Sequence, residues 1–207
     1  MPFITFEGIE GSGKTTQLRL LADRLGGSAV LTREPGGTAI GKAVRDVLLD
    51  PGSRGLTPVA ELLLYFADRA QNVAEVVRPA LAAGRVVLCD RHVESSLAYQ
   101  GYGRGLDVAA IRSLAALVTG GLRPDAIVLV DVPVEVGLAR VGRRGPHDRL
   151  EAEVREFHDR VRAGYVSLRE EEPRRWLWLD GTADPGTVFE GLWSALRERR
   201  LLGGEVH

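Results

Sequence analysis

The chain has 207 residues, 44% hydrophobic and 27% charged, with a formal net charge of −1. That is enough chain for one domain with a full core, and the near-neutral balance excludes a global basic field for nucleic acid or an acidic solvating tail. One cysteine, Cys89, excludes an internal disulfide framework, and neither a signal-peptide pattern nor a run of about 18 apolar residues is visible, so a cytoplasmic protein without a membrane span is expected.

The first expected element is a strand at Phe3–Glu7, and the first helix carries Leu18, Leu21, Ala22 and Leu25 on one face. Between them Gly8-Ile9-Glu10-Gly11-Ser12-Gly13-Lys14-Thr15 fits G-x-x-x-x-G-K-[ST] without a mismatch. A glycine-rich turn is the plain alternative, but the strand, loop, helix context favours a phosphate cradle. Glycines let successive N–H groups point inward, and the helix opening adds its own unpaired N–H groups. Lys14 is then expected on the β- and γ-phosphates and the Thr15 hydroxyl on a magnesium ion. Of 27 Lys and Arg residues only Lys14 and Lys42 are lysines, so the loop keeps lysine where arginine otherwise prevails.

A second strand at Ala29–Thr32 runs into Thr32-Arg33-Glu34-Pro35-Gly36-Gly37-Thr38. This segment is either a Pro-Gly-Gly turn or a charged pair, Arg33 and Glu34, placed where ligands meet a parallel sheet. Thr57 and Pro58 open a long helix with Val59, Leu62, Leu63, Phe66, Ala70 and Val73 on a broad apolar face, and Leu64 and Tyr65 apolar off it. Phe66 and Arg69, one turn apart, either present a ring and a guanidinium at a pocket or split into core and solvent.

The third strand, Val86–Asp90, ends in Asp90-Arg91. This pair reads as metal or water positioning with phosphate neutralisation, or as a structural salt bridge. His92 shows no partner in the sequence. Asp107 is expected to cap a helix bearing Ile111, Leu114, Ala115 and Val118. After a fourth strand at Ala126–Asp131, a helix from Val134 ends in a stretch carrying Arg140, Arg143, Arg144 and Arg149 among Gly and Pro. These arginines suit a lid over phosphates, or a solvated basic loop. A helix with Val154, Phe157, Val161, Tyr165 and Leu168 on one face, a fifth strand at Trp176–Asp180 and a helix with Val188, Phe189, Leu192 and Leu196 follow, before a frayed tail from Leu201. Alternating apolar strands and amphipathic helices predict an α/β, doubly wound, mostly parallel sheet.

Together, Phe6–Thr16, Thr32–Thr38, Asp90-Arg91, Ala98-Tyr99-Gln100-Gly101 and Asp148-Arg149 resemble the thymidylate kinase family of nucleoside monophosphate kinases, over about Phe6 to Glu151. The resemblance implies a single-domain P-loop NTPase fold: five mostly parallel strands, helices on both faces and a short Arg-rich lid at 140–150. It implies transfer of the γ-phosphoryl of ATP to dTMP with magnesium, in a homodimer, with no nucleic acid or membrane partner. By this match Gly8, Ile9, Glu10, Gly11, Ser12, Gly13, Lys14 and Thr15 form the ATP phosphate site. Glu10 lies near the acceptor's 3′-hydroxyl, Phe66 stacks on thymine and Arg69 bonds the base carbonyl edge. Ser96, Tyr99 and Gln100 line base and deoxyribose. Arg33, Pro35 and Arg45 flank the acceptor, and Asp90 and Arg91 orient its phosphate and the metal shell. The loop itself has no arginine, so the resemblance is to the branch whose lid supplies Arg140, Arg143, Arg144 and Arg149. Other nucleotide kinases share the loop and the Asp-Arg pair but not Thr32–Thr38, and a guanine-reading switch would need an N-K-x-D segment, in which neither lysine sits.

Overall fold

The computed structural model describes residues 1–143 and 148–202. Arg144 and the tail from 203 onward, both named above, lie outside the described residues. Five strands form one sheet: β1 (Phe3–Glu7), β2 (Ala29–Arg33), β3 (Val86–Asp90), β4 (Ala126–Asp131) and β5 (Trp176–Asp180). Their order is β2-β3-β1-β4-β5 and every described pairing is parallel, so the sheet is wholly rather than mostly parallel. β2 runs one residue beyond its expected end, because Arg33 takes the register position beside Asp90.

Ile4, Phe6, Leu88, Val128 and Val130 pack with Leu18, Leu21 and Leu25 of α1 (Lys14–Leu25) and with Val188, Leu192 and Leu196 of α9 (Pro185–Glu198). Strand residues of the other parity, Phe3, Val87 and Cys89, meet Val77 and Ala80 on the opposite face. A larger core there joins α3 (Pro58–Asn72), α6 (Val108–Thr119) and α8 (Arg155–Glu171). Side chains thus alternate between two helical layers, as the period of two in a covered strand requires.

The caps hold as the sequence indicates: Thr57 accepts from the amide of Ala60 at 3.3 Å and Asp107 from that of Ala109 at 2.9 Å. The long helix is not uniform, however. After α3 it widens into a π-helical stretch over Val73–Val77 before α4 (Arg78–Ala82). Pro79 explains this, because its ring nitrogen cannot donate into an α-helical ladder and its ring crowds the carbonyl four residues back. Val154, expected on the buried face of α8, instead precedes the helix and is exposed, while Phe157, Val161, Tyr165 and Leu168 are buried. On α3, Val59 and Leu63 are 54% and 52% exposed, whereas Tyr65, off the expected face, is buried.

Parallel strands deliver their carboxyl ends to one edge. Glu7, Arg33, Asp90 and Asp131 all end strands there, joined by the loop after β1 and by α2 (Ala39–Leu49), α5 (Val93–Ser96) and α7 (Val134–Gly142).

Candidate active site

The loop between β1 and α1 is bent by three glycines in the left-handed half of backbone space, with φ of 139° at Gly8, 71° at Gly11 and 97° at Gly13. At two of them the side chain is also excluded by contact. A Cβ on Gly8 would fall 2.4 Å from the carbonyl oxygen of Val130, and one on Gly11 2.2 Å from that of Gly137. The loop is therefore clamped between β4 and α7. Among the described residues no side chain caps α1, and no acidic residue occupies its first turn, which leaves amides and the positive dipole end available to an anion. Lys14 stands at this turn. Burial, then the charge of Arg91, push its ammonium down to about 8, against Asp90, Glu10 and Glu7.

Next to it the Thr15 hydroxyl donates to Asp90 Oδ2 at 2.9 Å. The other Asp90 oxygen, Oδ1, is buried without a hydrogen-bond partner among the described residues. An orphaned carboxylate oxygen beside a threonine hydroxyl is the donor set of a hard cation.

Arg91 follows directly, at φ 74°, a backbone conformation that costs a non-glycine residue on the order of 1 kcal/mol or more. It is held from four sides. Its Nη2 donates to Glu10 Oε1 at 2.9 Å and to the Tyr99 hydroxyl at 3.0 Å. Its Nη1 donates to the Ser95 and Tyr165 hydroxyls at 3.0 and 3.1 Å. Tyr99 in turn donates to Glu10 at 2.7 Å. Burial would raise the Glu10 carboxyl, but Arg91, His158 and Lys14 outweigh it and hold it down to about 2. A fixed guanidinium and a fixed carboxylate thus face the cleft together.

The Thr32–Thr38 segment turns out to be architecture as well as site. Thr38 caps α2 through the amide of Gly41 at 2.9 Å, and the Gly36 amide donates to Asp68 Oδ1 at 2.8 Å. A Cβ on Gly37 would lie 2.4 Å from the Thr32 hydroxyl, so only glycine lets the turn close on β2 and α3. Glu34 is the hub. Arg69 Nε donates to it at 2.6 Å, Asn72 Nδ2 at 2.9 Å, and His92 Nδ1 stands 3.1 Å away. Burial pushes this carboxyl up, yet His92, Arg69 and Asn72 bring it down to about 2. His92, which shows no partner in the sequence, is therefore a fully buried member of the network, its ring edge-on to Phe3.

Arg69 was expected at a base edge or in solvent; it is 1% exposed and also donates to Ser96 Oγ at 3.0 Å and to the His92 carbonyl at 2.7 Å. Phe66 needs correction. It lies under the Arg69 guanidinium, 4.7 Å from ring centre to Cζ, and is not part of the cleft wall. Tyr65 occupies that wall instead. Positions three and four residues before Arg69 both neighbour it on a helix, so spacing alone does not choose between the two rings.

Two connected cavities open on this side of the loop, of about 260 and 700 Å³. The smaller is bounded by Tyr65, Arg69, Ser96, Tyr99 and Gln100. The larger takes in Glu10, Lys14, Arg33, Pro35, Arg45 and Asp90. Both include Glu34, Tyr65, Arg91 and Leu150. Arg45 is lowered by burial and then by Arg33 beside it, the signature of positive charge gathered for an anion. On the far side of the loop a third cavity of about 610 Å³ is formed by Gly13, Gln17, Arg140, Gly181, Ala183 and Pro185, and Gly11 lines this cavity and the larger cleft alike.

The lid arginines separate. Arg140 Nη1 donates to the carbonyls of Gly11 at 3.3 Å and Gly181 at 2.9 Å, bracing the loop at the third cavity. Arg143 ends α7, exposed. Arg149 does not face the phosphate cleft. Its Nη1 pairs with buried Glu61 at 2.6 Å and its Nε donates to the Leu48 carbonyl at 2.7 Å, which makes it a structural tie between α2 and α3. Arg104 and Gln100 share the same Glu61 carboxylate.

Residues 6–190 match the sequence model of the thymidylate kinase family. The chain is 53% identical over 204 residues to a thymidylate kinase of Desulfovibrio desulfuricans, covering 94% of each chain. It is 52% identical over 200 residues to that of Deinococcus radiodurans, covering 95% of this chain and 97% of the relative. Among solved structures, the crystal structure of thymidylate kinase from Ehrlichia chaffeensis superposes with a TM-score of 0.78 at 35% identity, over 95% of this chain and 98% of that one.

Proposed function

The chain belongs to the thymidylate kinase family, and from that premise we propose how its residues divide the work of moving the γ-phosphoryl group of ATP to dTMP. The observation that carries the reading is a phosphate loop with a cavity on either side, Gly11 lining both. ATP enters from the side of Arg140, Gly181 and Pro185, with its phosphates on the loop amides and Lys14. The acceptor enters from the side of α3 and α5. Its base lies against Tyr65, beside Arg69, Ser96 and Gln100, and its phosphate faces Arg91, Arg45 and Arg33. Glu10 and Tyr99 border the sugar between the two.

Phosphoryl transfer requires alignment and neutralised charge, with little covalent work from the protein. Arg91 is immobilised by four hydroxyl and carboxylate partners, so little ordering remains to be done when the acceptor phosphate arrives. The Thr15 hydroxyl and Asp90 fit a magnesium ion, directly or through water, which when bound supplies charge neutralisation between phosphates. Among the described residues no cluster of three His, Cys, Asp or Glu side chains would cage a metal unaided, so such an ion draws its remaining ligands from substrate and water. Of the described lid arginines, Arg140, which stands against the loop at Gly11, and Arg143 are assigned to neutralising charge on the phosphates. A cytoplasmic location is part of the same reading, on the strength of a lone, buried, unpaired cysteine.

The acceptor assignment is tested by coupled ADP release with dTMP, UMP, CMP, AMP and thymidine. A preference of about 10²-fold or more in kcat/KM for dTMP is expected; turnover with thymidine but not dTMP would overturn it.

We also propose a homodimer. Ile40 and Val47 of α2, Val59 and Leu63 of α3 and Leu117 of α6 are exposed apolar side chains on helices that pack side by side. Sedimentation at micromolar concentration is expected to give a dimer that Leu63→Glu dissociates; a monomeric parent chain contradicts this.

A further inference from the structure

Glu7 ends β1 fully buried and belongs to none of the roles assigned so far. Its Oε1 accepts from the His92 amide at 2.8 Å, while Oε2 accepts from the Ser95 hydroxyl at 2.5 Å and the Tyr165 hydroxyl at 2.9 Å. Those two hydroxyls are the ones that accept from Nη1 of Arg91, and they lie 2.9 Å from each other. A hydroxyl carries one hydrogen. When both hydrogens point at Glu7, both oxygens turn their lone pairs to the guanidinium.

We propose that Glu7 is a positioning residue for Arg91: its carboxylate orients the Ser95 and Tyr165 hydroxyls so that they hold the guanidinium against the acceptor phosphate. The proposal rests on the reading of Arg91 given above. Protonation of Oε2 reverses the arrangement, because the carboxylic acid must donate and at least one hydroxyl must turn its hydrogen away from it. The left-handed backbone at Arg91 adds a reason for such a brace, since the chain at this point does not hold its own conformation cheaply.

The groups facing Glu7 are Glu94 and Ser95 on α5, Tyr165 on α8, Arg91 and His92 after β3, and Lys14 of α1. Burial, then Glu94, raise the Glu7 carboxyl to about 7, against Ser95, Arg91 and His92. Glu94 lines a separate cavity of about 710 Å³ with Leu97, Ala115 and Arg123, and its Oε2 has no hydrogen-bond partner among the described residues. It lines neither of the two cavities assigned to the acceptor. It therefore offers a handle on Glu7 from outside the catalytic cleft.

The test compares Glu7→Gln, Tyr165→Phe, Glu94→Gln and Arg91→Ala in steady-state kinetics from pH 6 to 9. The expected result is a fall of about 10²-fold in kcat/KM for dTMP in Glu7→Gln, as a misplaced positioning group gives, with KM for ATP within about twofold of the parent. The parent's kcat/KM for dTMP is expected to show a rising limb at about pH 7 from Glu7, beyond the rise that the second ionisation of the dTMP phosphate, at about pH 6, gives every variant; the Glu7 limb is absent in Glu7→Gln. In Glu94→Gln it moves to lower pH by roughly half a unit with the same plateau, because a neighbouring negative charge has gone. If Glu7→Gln fails to fold, Tyr165→Phe carries the test, with a rise of about tenfold in KM for dTMP. Unchanged dTMP kinetics in both variants, or a limb that ignores Glu94→Gln, overturns the proposal. Full activity in Arg91→Ala overturns instead the reading on which it rests.

Discussion

Lys14→Ala is expected to lower kcat by about 10³-fold or more, a loss of about 4 kcal/mol of transition-state stabilisation, with the melting temperature little changed. Lys14 stands at the opening of α1 on a loop already clamped by Val130 and Gly137, so the fold does not depend on its side chain. Its charge has a different task. Burial and Arg91 bring the ammonium to about 8, and the anionic phosphates of ATP would restore the protonated form. ATP binding therefore weakens as pH rises through about 8, where the free enzyme gives up that proton. Lys14→Arg keeps the charge but replaces a compact ammonium with a planar fork too wide for the curled backbone, so it is expected to recover little of the activity. Undiminished turnover in Lys14→Ala would remove the phosphate loop from the mechanism.

Glu34→Gln is expected to cost about 3–5 kcal/mol, the penalty for leaving a buried arginine without its counter-charge. For a chain of this size that lowers the melting temperature by roughly 10 °C. Arg69 is 1% exposed and meets Glu34 at 2.6 Å, so water cannot take over the pairing. The double variant Glu34→Gln, Arg69→Met should recover part of the loss, because removing both partners leaves no stranded charge. The pH dependence has a definite sign. Glu34 is lowered to about 2 from 4.5, so its contribution is present above about pH 5 and fades as pH falls towards 2. The difference in stability between parent and Glu34→Gln should shrink over that window. A difference below about 1 kcal/mol at pH 7 would mean that the network is not what holds the turn after β2 to α3.

These two residues show how differently the site is written in the sequence. Lys14 announces itself, because glycine spacing, the lysine and the following threonine lie within one uninterrupted stretch whose chemistry depends on backbone geometry. Glu34 appears in the sequence only as half of a charged pair after a strand. Its partners Arg69, Asn72 and His92 lie 35, 38 and 58 residues away, and no local pattern joins them. The same holds for Arg149, read from its neighbours as a lid arginine and found instead on Glu61, a contact formed by folding. Tyr65 and Phe66 are adjacent and both aromatic, so helical spacing before Arg69 leaves the cleft-facing ring open until α3 is packed.

The strands, the helix caps at Thr57 and Asp107, the parallel α/β class and the phosphate loop are legible in the linear chain. Each of these is set by backbone propensity, by a period of two or 3.6, or by glycines a few residues apart, and such signals are complete within a short window. Which charges are buried together, which aromatic ring faces the cleft, and that Glu7 stands behind Arg91 emerge only once the chain is folded. Those facts depend on side chains from distant segments meeting where water is excluded. There an unpaired charge or misdirected hydroxyl costs far more than it does at the surface, and nothing in the linear spacing records that cost.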